Sequence, residues 1–182
     1  METGKGDGGG SGYQGNHYSG NDVTEATIRP AGPDDAPAIV GLITRLAAFE
    51  REPAAISLTE AAVRRDCFGH HPRLHVLLAL SRGAPCGIVT LLDTYSSWAG
   101  APAMVVHDLF VDEAARGRGV GRRLLAEAAR LAVARGCRRL DVNVLNWNEA
   151  ALGFYRSLGF SPLDQWRTHR LDAAGLGRLA GK

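Results

Sequence analysis

At 182 residues the chain is long enough for one domain with a buried core. Its 45% hydrophobic and 22% charged content is that of an ordinary globular protein, and a formal net charge of +2 is too small to drive binding to nucleic acid or to a membrane surface. No apolar run approaches the roughly 18 residues of a membrane span, and the N-terminus lacks the apolar stretch of a signal peptide.

Residues 1–25 are rich in Gly, Ser and Asn with almost nothing to bury, which predicts a disordered leader ahead of a single domain over 26–182. Residues 26–29 read as a short first strand. Pro33-Asp34-Asp35 then caps a helix whose Ile39, Ile43, Leu46, Ala47 and Glu50 recur at helical spacing. The Ser57-Leu58-Thr59-Glu60 stretch has capping-box spacing and predicts a second helix to about Phe68. Residues 73–80 and 86–93 read as two strands around an Arg82-Gly83 turn, and 104–111 as a third. After a glycine-rich loop, Leu124, Leu125, Ala128, Leu131, Ala132 and Arg135 mark one helix face that stops at Gly136. Residues 139–145 alternate as a strand. Asn148 caps a short helix carrying Ala151, Leu152, Tyr155 and Leu158, and 166–171 predicts a last strand. The order is that of a mixed α/β layer fold, not a βαβ array.

Cys67, Cys86 and Cys137 are odd in number, far apart and without C-x-x-C spacing. They argue against a disulfide framework and against a zinc site, and predict free thiols in a reducing cytoplasm.

Most of the chemistry points to Arg116-Gly117-Arg118-Gly119-Val120-Gly121. Three glycines permit a turn with exposed N–H groups, and the helix behind them aims the positive end of its dipole at the same point. Arg116, Arg118, Arg122 and Arg123 surround the turn, so it asks for a ligand with several phosphates. A P-loop would need a Lys after the last glycine, and a dinucleotide fingerprint would need wider spacing near the first strand.

Arg116-x-x-Gly119-x-Gly121 matches the [QR]-x-x-G-x-[GA] motif for acetyl-CoA in the GNAT superfamily of N-acetyltransferases. The second mark of that family follows in Asn148-Glu149-Ala150-Ala151 and Phe154-Tyr155-Arg156-x-x-Gly159-Phe160. The chain most resembles the diamine (spermidine/spermine) group. The supporting pieces are Ile28-Arg29-Pro30-Ala31, Leu58-Thr59-Glu60, Phe68-Gly69-x-His71-Pro72, Thr94-Tyr95-x-x-Trp98 and Trp147-Asn148-Glu149.

The resemblance implies a GNAT fold: a mixed, mostly antiparallel sheet flanked by about four helices, with two splayed strands forming the acetyl-CoA cleft. Leu109, Phe110 and Val111 would offer backbone groups to the pantetheine arm, and Gly117, Arg118, Gly119, Val120, Gly121 and Arg122 would hold the pyrophosphate. Arg116 and Arg123 would help neutralise phosphate, with Asn148, Ala151 and Tyr155 completing the donor site. Tyr155 also sits where the family places the acid for the leaving thiolate. No metal is called for.

Attack on a thioester needs a neutral amine, so a base must take its proton. Where the diamine group has Glu-Asp, this chain has His107-Asp108, and imidazole is an adequate base near neutral pH. Adjacent strand residues face opposite ways, so without a bulge one of the two faces the cleft; His107 is favoured, with Asp108 or water as rivals. Glu50, Tyr95 and Trp98 are the candidate acceptor residues. Ser96, where the diamine enzymes carry an aspartate, weakens the case for a long polycation.

The reading is therefore acetyl transfer to a primary amine of a small molecule, either a diamine or polyamine or an amino-acid side-chain amine. A protein or peptide N-acetyltransferase and an idle acyl-CoA-binding module stand as alternatives. The resemblance adds a homodimer as the expected assembly.

Overall fold

The computed structural model describes residues 26–182; the leader expected over 1–25 lies outside the described residues. Strand β1 (Thr27–Pro30) is followed by a short 3₁₀ turn and helix α1 (Ala36–Phe49), then α2 (Glu60–Phe68). Three antiparallel strands follow, β2 (His75–Ser81), β3 (Ala84–Ser96) and β4 (Ala101–Val111). Helix α3 (Val120–Ala134), strand β5 (Leu140–Val142), α4 (Glu149–Ser157) and α5 (Ala173–Leu179) complete the order. The five strands lie in sequence order in one sheet, antiparallel except for the parallel β4–β5 pair.

Both faces of the sheet are covered. Strand β2 shows why: Val76 and Leu78 pack towards α1 and α2, while Leu77 and Ala79 point to α3. On the first face Ile39, Leu42, Val63 and Ile88 are almost fully buried; on the second Leu91, Met104, Val106 and Leu124 are. The apolar stripe of α3 read from the sequence, Leu124, Leu125, Ala128 and Ala132, is the one buried. Arg135 does not belong to that stripe. It caps the helix end, exposed, with its guanidinium 2.8 Å from the Asp93 carboxylate.

Four expectations are corrected. Thr59, not Ser57, caps α2, its hydroxyl accepting the Ala62 N–H at 3.1 Å. The strand expected over 139–145 pairs only at Leu140–Val142. The strand expected over 166–171 does not form: every residue from 161 to 172 is exposed, so the segment has no apolar face to bury against the sheet. A fifth helix, α5, follows instead, its two internal glycines having hidden it; Asp172 caps it by accepting the Gly175 N–H at 2.7 Å. Cys67, Cys86 and Cys137 are free thiols, and burial pushes the first two above the ordinary thiol range. Among the described residues no helix is long and apolar enough to cross a membrane.

Candidate active site

The sheet opens in its middle. Strands β4 and β5 pair only over Met104–Val106 and Leu140–Val142. Beyond that point residues 107–111 and 143–145 diverge and form the walls of a cleft of about 580 Å³. Helix α1 supplies Leu46, Phe49 and Glu50 at one end; Asn148, Ala151, Phe154 and Tyr155 close the other side.

A bulge causes the divergence. Thr90 of β3 is opposite Asp108 and Leu91 is opposite Val106, so His107 is left without a partner. One extra residue reverses the alternation of β4. Met104 and Val106 pack on the α3 face, whereas Phe110 packs on the α1 face and Leu109 and Val111 on the α3 face. The sequence reading allowed only one of His107 and Asp108 into the cleft unless a bulge intervened. A bulge does intervene, and both residues line it.

Thr90 fixes this irregularity. It is fully buried, accepts the Asp108 N–H at 3.1 Å and donates its hydroxyl to Asp108 Oδ2 at 2.5 Å. The same Oδ2 lies 3.0 Å from His107 Nδ1. That hydrogen bond holds the His107 imidazole above its ordinary value of 6.5, outweighing burial and the nearby positive charge of Arg170. Glu50, the last residue capping α1, completes the group. Burial raises its carboxyl above the usual range, the Asp108 charge adds to this, and His107 opposes it.

At the phosphate loop, Gly117 and Gly119 both take positive φ, +72° and +75°, and a Cβ on either would meet nothing within 4 Å. Backbone conformation, not crowding, requires them. Gly121 differs: its Cβ position lies 3.4 Å from the Phe154 ring, so its glycine allows α4 close to α3. The N–H of Arg123 reaches back to the Gly119 carbonyl at 3.0 Å, so the N–H groups of Val120, Gly121 and Arg122 ahead of it have no helical acceptor. All three residues line the cleft. An unfilled ring of N–H donors at a positive helix end is what a pyrophosphate fits.

Arg116 stands apart from that cradle. Its Nε donates to the Val111 carbonyl at 2.9 Å, and its guanidinium lies 5.0 Å from the Phe49 ring centroid and 5.7 Å from that of Phe110. It ties the end of β4 to α1. Phe49 in turn contacts Trp147, whose ring carries Arg51 at 5.0 Å. Asn148 uses its Oδ1 to accept the Ala151 N–H at 3.1 Å, as an N-cap, and both residues line the cleft. Tyr155 is 8% exposed, wedged edge-on between Phe154 and Phe160, and burial pushes its phenol up to about 12.

The cleft thus gathers Glu50, His107, Asp108, Leu109, Phe110, Val111, Arg116, Gly117, Gly119, Val120, Gly121, Arg122, Asn148, Ala151 and Tyr155. It does not gather Arg118, Tyr95 or Trp98. Arg118 is exposed and outside the lining. Tyr95 and Trp98 lie at the β3–β4 hairpin, 64% and 91% exposed, with Trp98 edge-on to Trp166. Ser96 is also outside the lining, and its hydroxyl accepts the Ala99 N–H and an Arg139 N–H, both at 3.2 Å. Sequence reasoning missed Thr90, Phe49 and the 142–145 wall. A threonine among Ile88, Val89 and Leu91 was the one available signal for the first.

A model of the acetyltransferase (GNAT) family matches residues 42–160. Thialysine N-epsilon-acetyltransferase of Bos taurus is 32% identical over 166 residues, covering 85% of this chain and 97% of that protein. Spermidine/spermine N(1)-acetyltransferase-like protein 1 of Homo sapiens is 32% identical over 155 residues, 80% of this chain and 22% of its own length. Among solved structures, an integron cassette protein from V. cholerae aligns with a TM-score of 0.74 and 26% identity, covering 87% of this chain and 99% of that one. Motif, fold and kinship agree: the chain belongs to the GNAT family of acetyltransferases and is an acyltransferase.

Proposed function

We propose that this enzyme transfers the acetyl group of acetyl-CoA to the side-chain amine of a small amino acid or diamine. The observation that carries the reading is one cleft lined both by the N-terminal turn of α3 with its glycine loop and by Glu50, His107 and Asp108, with Tyr155 in the same lining. The free N–H groups of Val120, Gly121 and Arg122 would hold the pyrophosphate, and the backbone of Leu109, Phe110 and Val111 the pantetheine arm. The cosubstrate supplies an activated acetyl thioester; the rest is proton management by this chain.

An amine arrives at neutral pH as an ammonium ion, and the negative charge of Glu50 and Asp108 attracts it. His107 is the base: it is the residue the bulge turns loose into the cleft, whereas Asp108 Oδ2 already receives two hydrogen bonds. His107 takes the first proton, which frees the nitrogen lone pair for attack. Tyr155 donates its O–H towards the departing sulfur. A phenol near 12 does not by itself surrender a proton to a thiolate whose ordinary pKa is about 8.5. The nitrogen's second proton, lost as the amide forms, replaces the phenol's, so Tyr155 ends as it began. The products are the acetylamine, the free thiol and one proton that His107 returns to solvent.

Two features support an amino acid over a long polycation. Of the two acetyltransferases described above, the one matched over nearly its whole length is named for thialysine. In addition, Arg170 lies close enough to oppose a positive charge on His107, a position suited to a substrate carboxylate. Thiol release measured with thialysine, lysine, ornithine, spermidine, short diamines and a lysine peptide tests this. Fastest turnover with the amino acids is expected; preference for spermidine or the peptide refutes the substrate class, and binding of acetyl-CoA without acceleration by any amine refutes the enzyme reading. We also propose a cytoplasmic homodimer, supported by the free thiols and by exposed Trp98, Trp166 and Leu163; sedimentation velocity tests the assembly.

A further inference from the structure

We infer that Thr90 is a positioning residue for the transfer: its buried hydroxyl holds the Asp108 carboxylate against His107 Nδ1 and so leaves His107 Nε2 as the proton acceptor. This rests on His107 being the base.

Thr90 has no packing reason to be polar. It lies in β3 among Ile88, Val89 and Leu91, all fully buried, where valine would fill the same space. Both hydrogen bonds of its Oγ1 go to one residue. It accepts the Asp108 N–H at 3.1 Å, which fixes the backbone on the far side of the bulge, and donates to Asp108 Oδ2 at 2.5 Å, which fixes the side chain. Asp108 is thereby held at its backbone and at one carboxylate oxygen, and that same Oδ2 meets His107 Nδ1 at 3.0 Å. An ionised carboxylate only accepts, so Nδ1 carries the hydrogen and the neutral ring's lone pair lies on Nε2. When Nε2 takes the ammonium proton, the imidazolium that forms is paired with a carboxylate that need not move. The other charged groups that act on His107 are Glu50 from the end of α1 and Arg170 from the segment ahead of α5, and Tyr155 lines the same cleft. Among the described residues the hydrogen-bond partner of Nδ1 is Asp108 Oδ2, so the tautomer is left to Asp108 and, through it, to Thr90.

Three variants and one spectroscopic measurement test this on the full chain. Thr90→Val keeps the shape and removes the hydroxyl; kcat should fall on the order of tenfold, as for loss of a hydrogen bond to a charged group, with the acetyl-CoA KM unchanged. The ascending limb of its pH–rate profile should move to lower pH, because the imidazolium loses a fixed partner. Thr90→Ser keeps the hydroxyl and should keep the limb. A Thr90→Val enzyme with wild-type kcat, or with its limb unmoved or moved to higher pH, overturns the proposal. If that variant fails to fold, imidazole nitrogen NMR of the wild-type chain decides. A neutral His107 protonated at Nδ1 is required, and one protonated at Nε2 overturns the proposal. His107→Gln separates the two layers: if it retains the wild-type limb, the base assignment itself fails, whereas loss of the limb there with a wild-type limb in Thr90→Val overturns Thr90 alone.

Discussion

Replacing Tyr155 with Phe removes one oxygen from a side chain that is 8% exposed and leaves its ring between Phe154 and Phe160. The packing survives, so stability at pH 7 should change little. At alkaline pH the two proteins should part. Burial raises the phenol from 10.0 to about 12. That rise puts roughly 3 kcal/mol against ionising it in place. Between those values the unfolded chain has lost the phenol proton and the folded one keeps it, so stability falls as pH rises. Wild type should lose roughly half of that from this residue by pH 11, most of it by about pH 12 and the remainder above. Urea unfolding of both proteins at pH 8 and pH 11 measures it, the other titrating groups cancelling in the difference. The same variant should lower kcat on the order of a hundredfold, the typical worth of a placed acid, while acetyl-CoA affinity holds. Parallel pH–stability curves would refute the buried phenol, and unchanged turnover would refute its role at the leaving sulfur.

The His107 imidazole, held above 6.5 by Asp108, should place the ascending limb of kcat/KM above that value, the deprotonated ring being the proposed base. Its stabilising charge is present below about 6.5 and lost as pH rises through the folded value, so stability should decline where activity climbs; His107→Ala should flatten both in paired kinetic and denaturation profiles. Gly119→Ala forces an L side chain to φ +75° with nothing within 4 Å to clash, so it should cost about 1–2 kcal/mol of backbone strain and weaken acetyl-CoA more than the amine in calorimetric titrations. Gly153→Ala, in α4 with open space and ordinary φ, should be neutral or slightly stabilising in the same assays. Glu50→Gln should raise the amine KM on the order of tenfold and leave acetyl-CoA binding alone. Burial holds the Glu50 carboxyl above its ordinary range, so its charge opposes folding above that range; the variant should be no less stable at pH 7, and a large loss of stability would show a structural role instead.

The glycine-rich loop and the helix behind it were legible because their geometry is local. Gly117 and Gly119 are needed for backbone angles that few other residues adopt, and the helix behind them follows from its own apolar stripe. Loop, dipole and stripe fall within some 20 consecutive residues, 116–135, so spacing alone raises the expectation of a polyphosphate ligand. Failures occurred where local pattern meets a distant partner. Residues 166–171 look like a strand, yet pairing needs a face to bury, and none of that segment is covered. Tyr95 and Trp98 sit in a motif suited to a pocket, but the hairpin carries them away from the cleft.

Length, periodicity and the two motifs therefore determined a mixed α/β acetyltransferase, the position of its glycine-rich loop, and Tyr155 on the short helix α4. The acceptor end was decided only in three dimensions. Whether His107 and Asp108 share a face depends on one unpaired residue in β4, and that depends on Thr90 lying opposite Asp108 in a neighbouring strand. A register shift leaves no mark in composition, because it is set by hydrogen bonds between residues 18 positions apart. The pleat turns on a single residue, and everything beyond it changes sides.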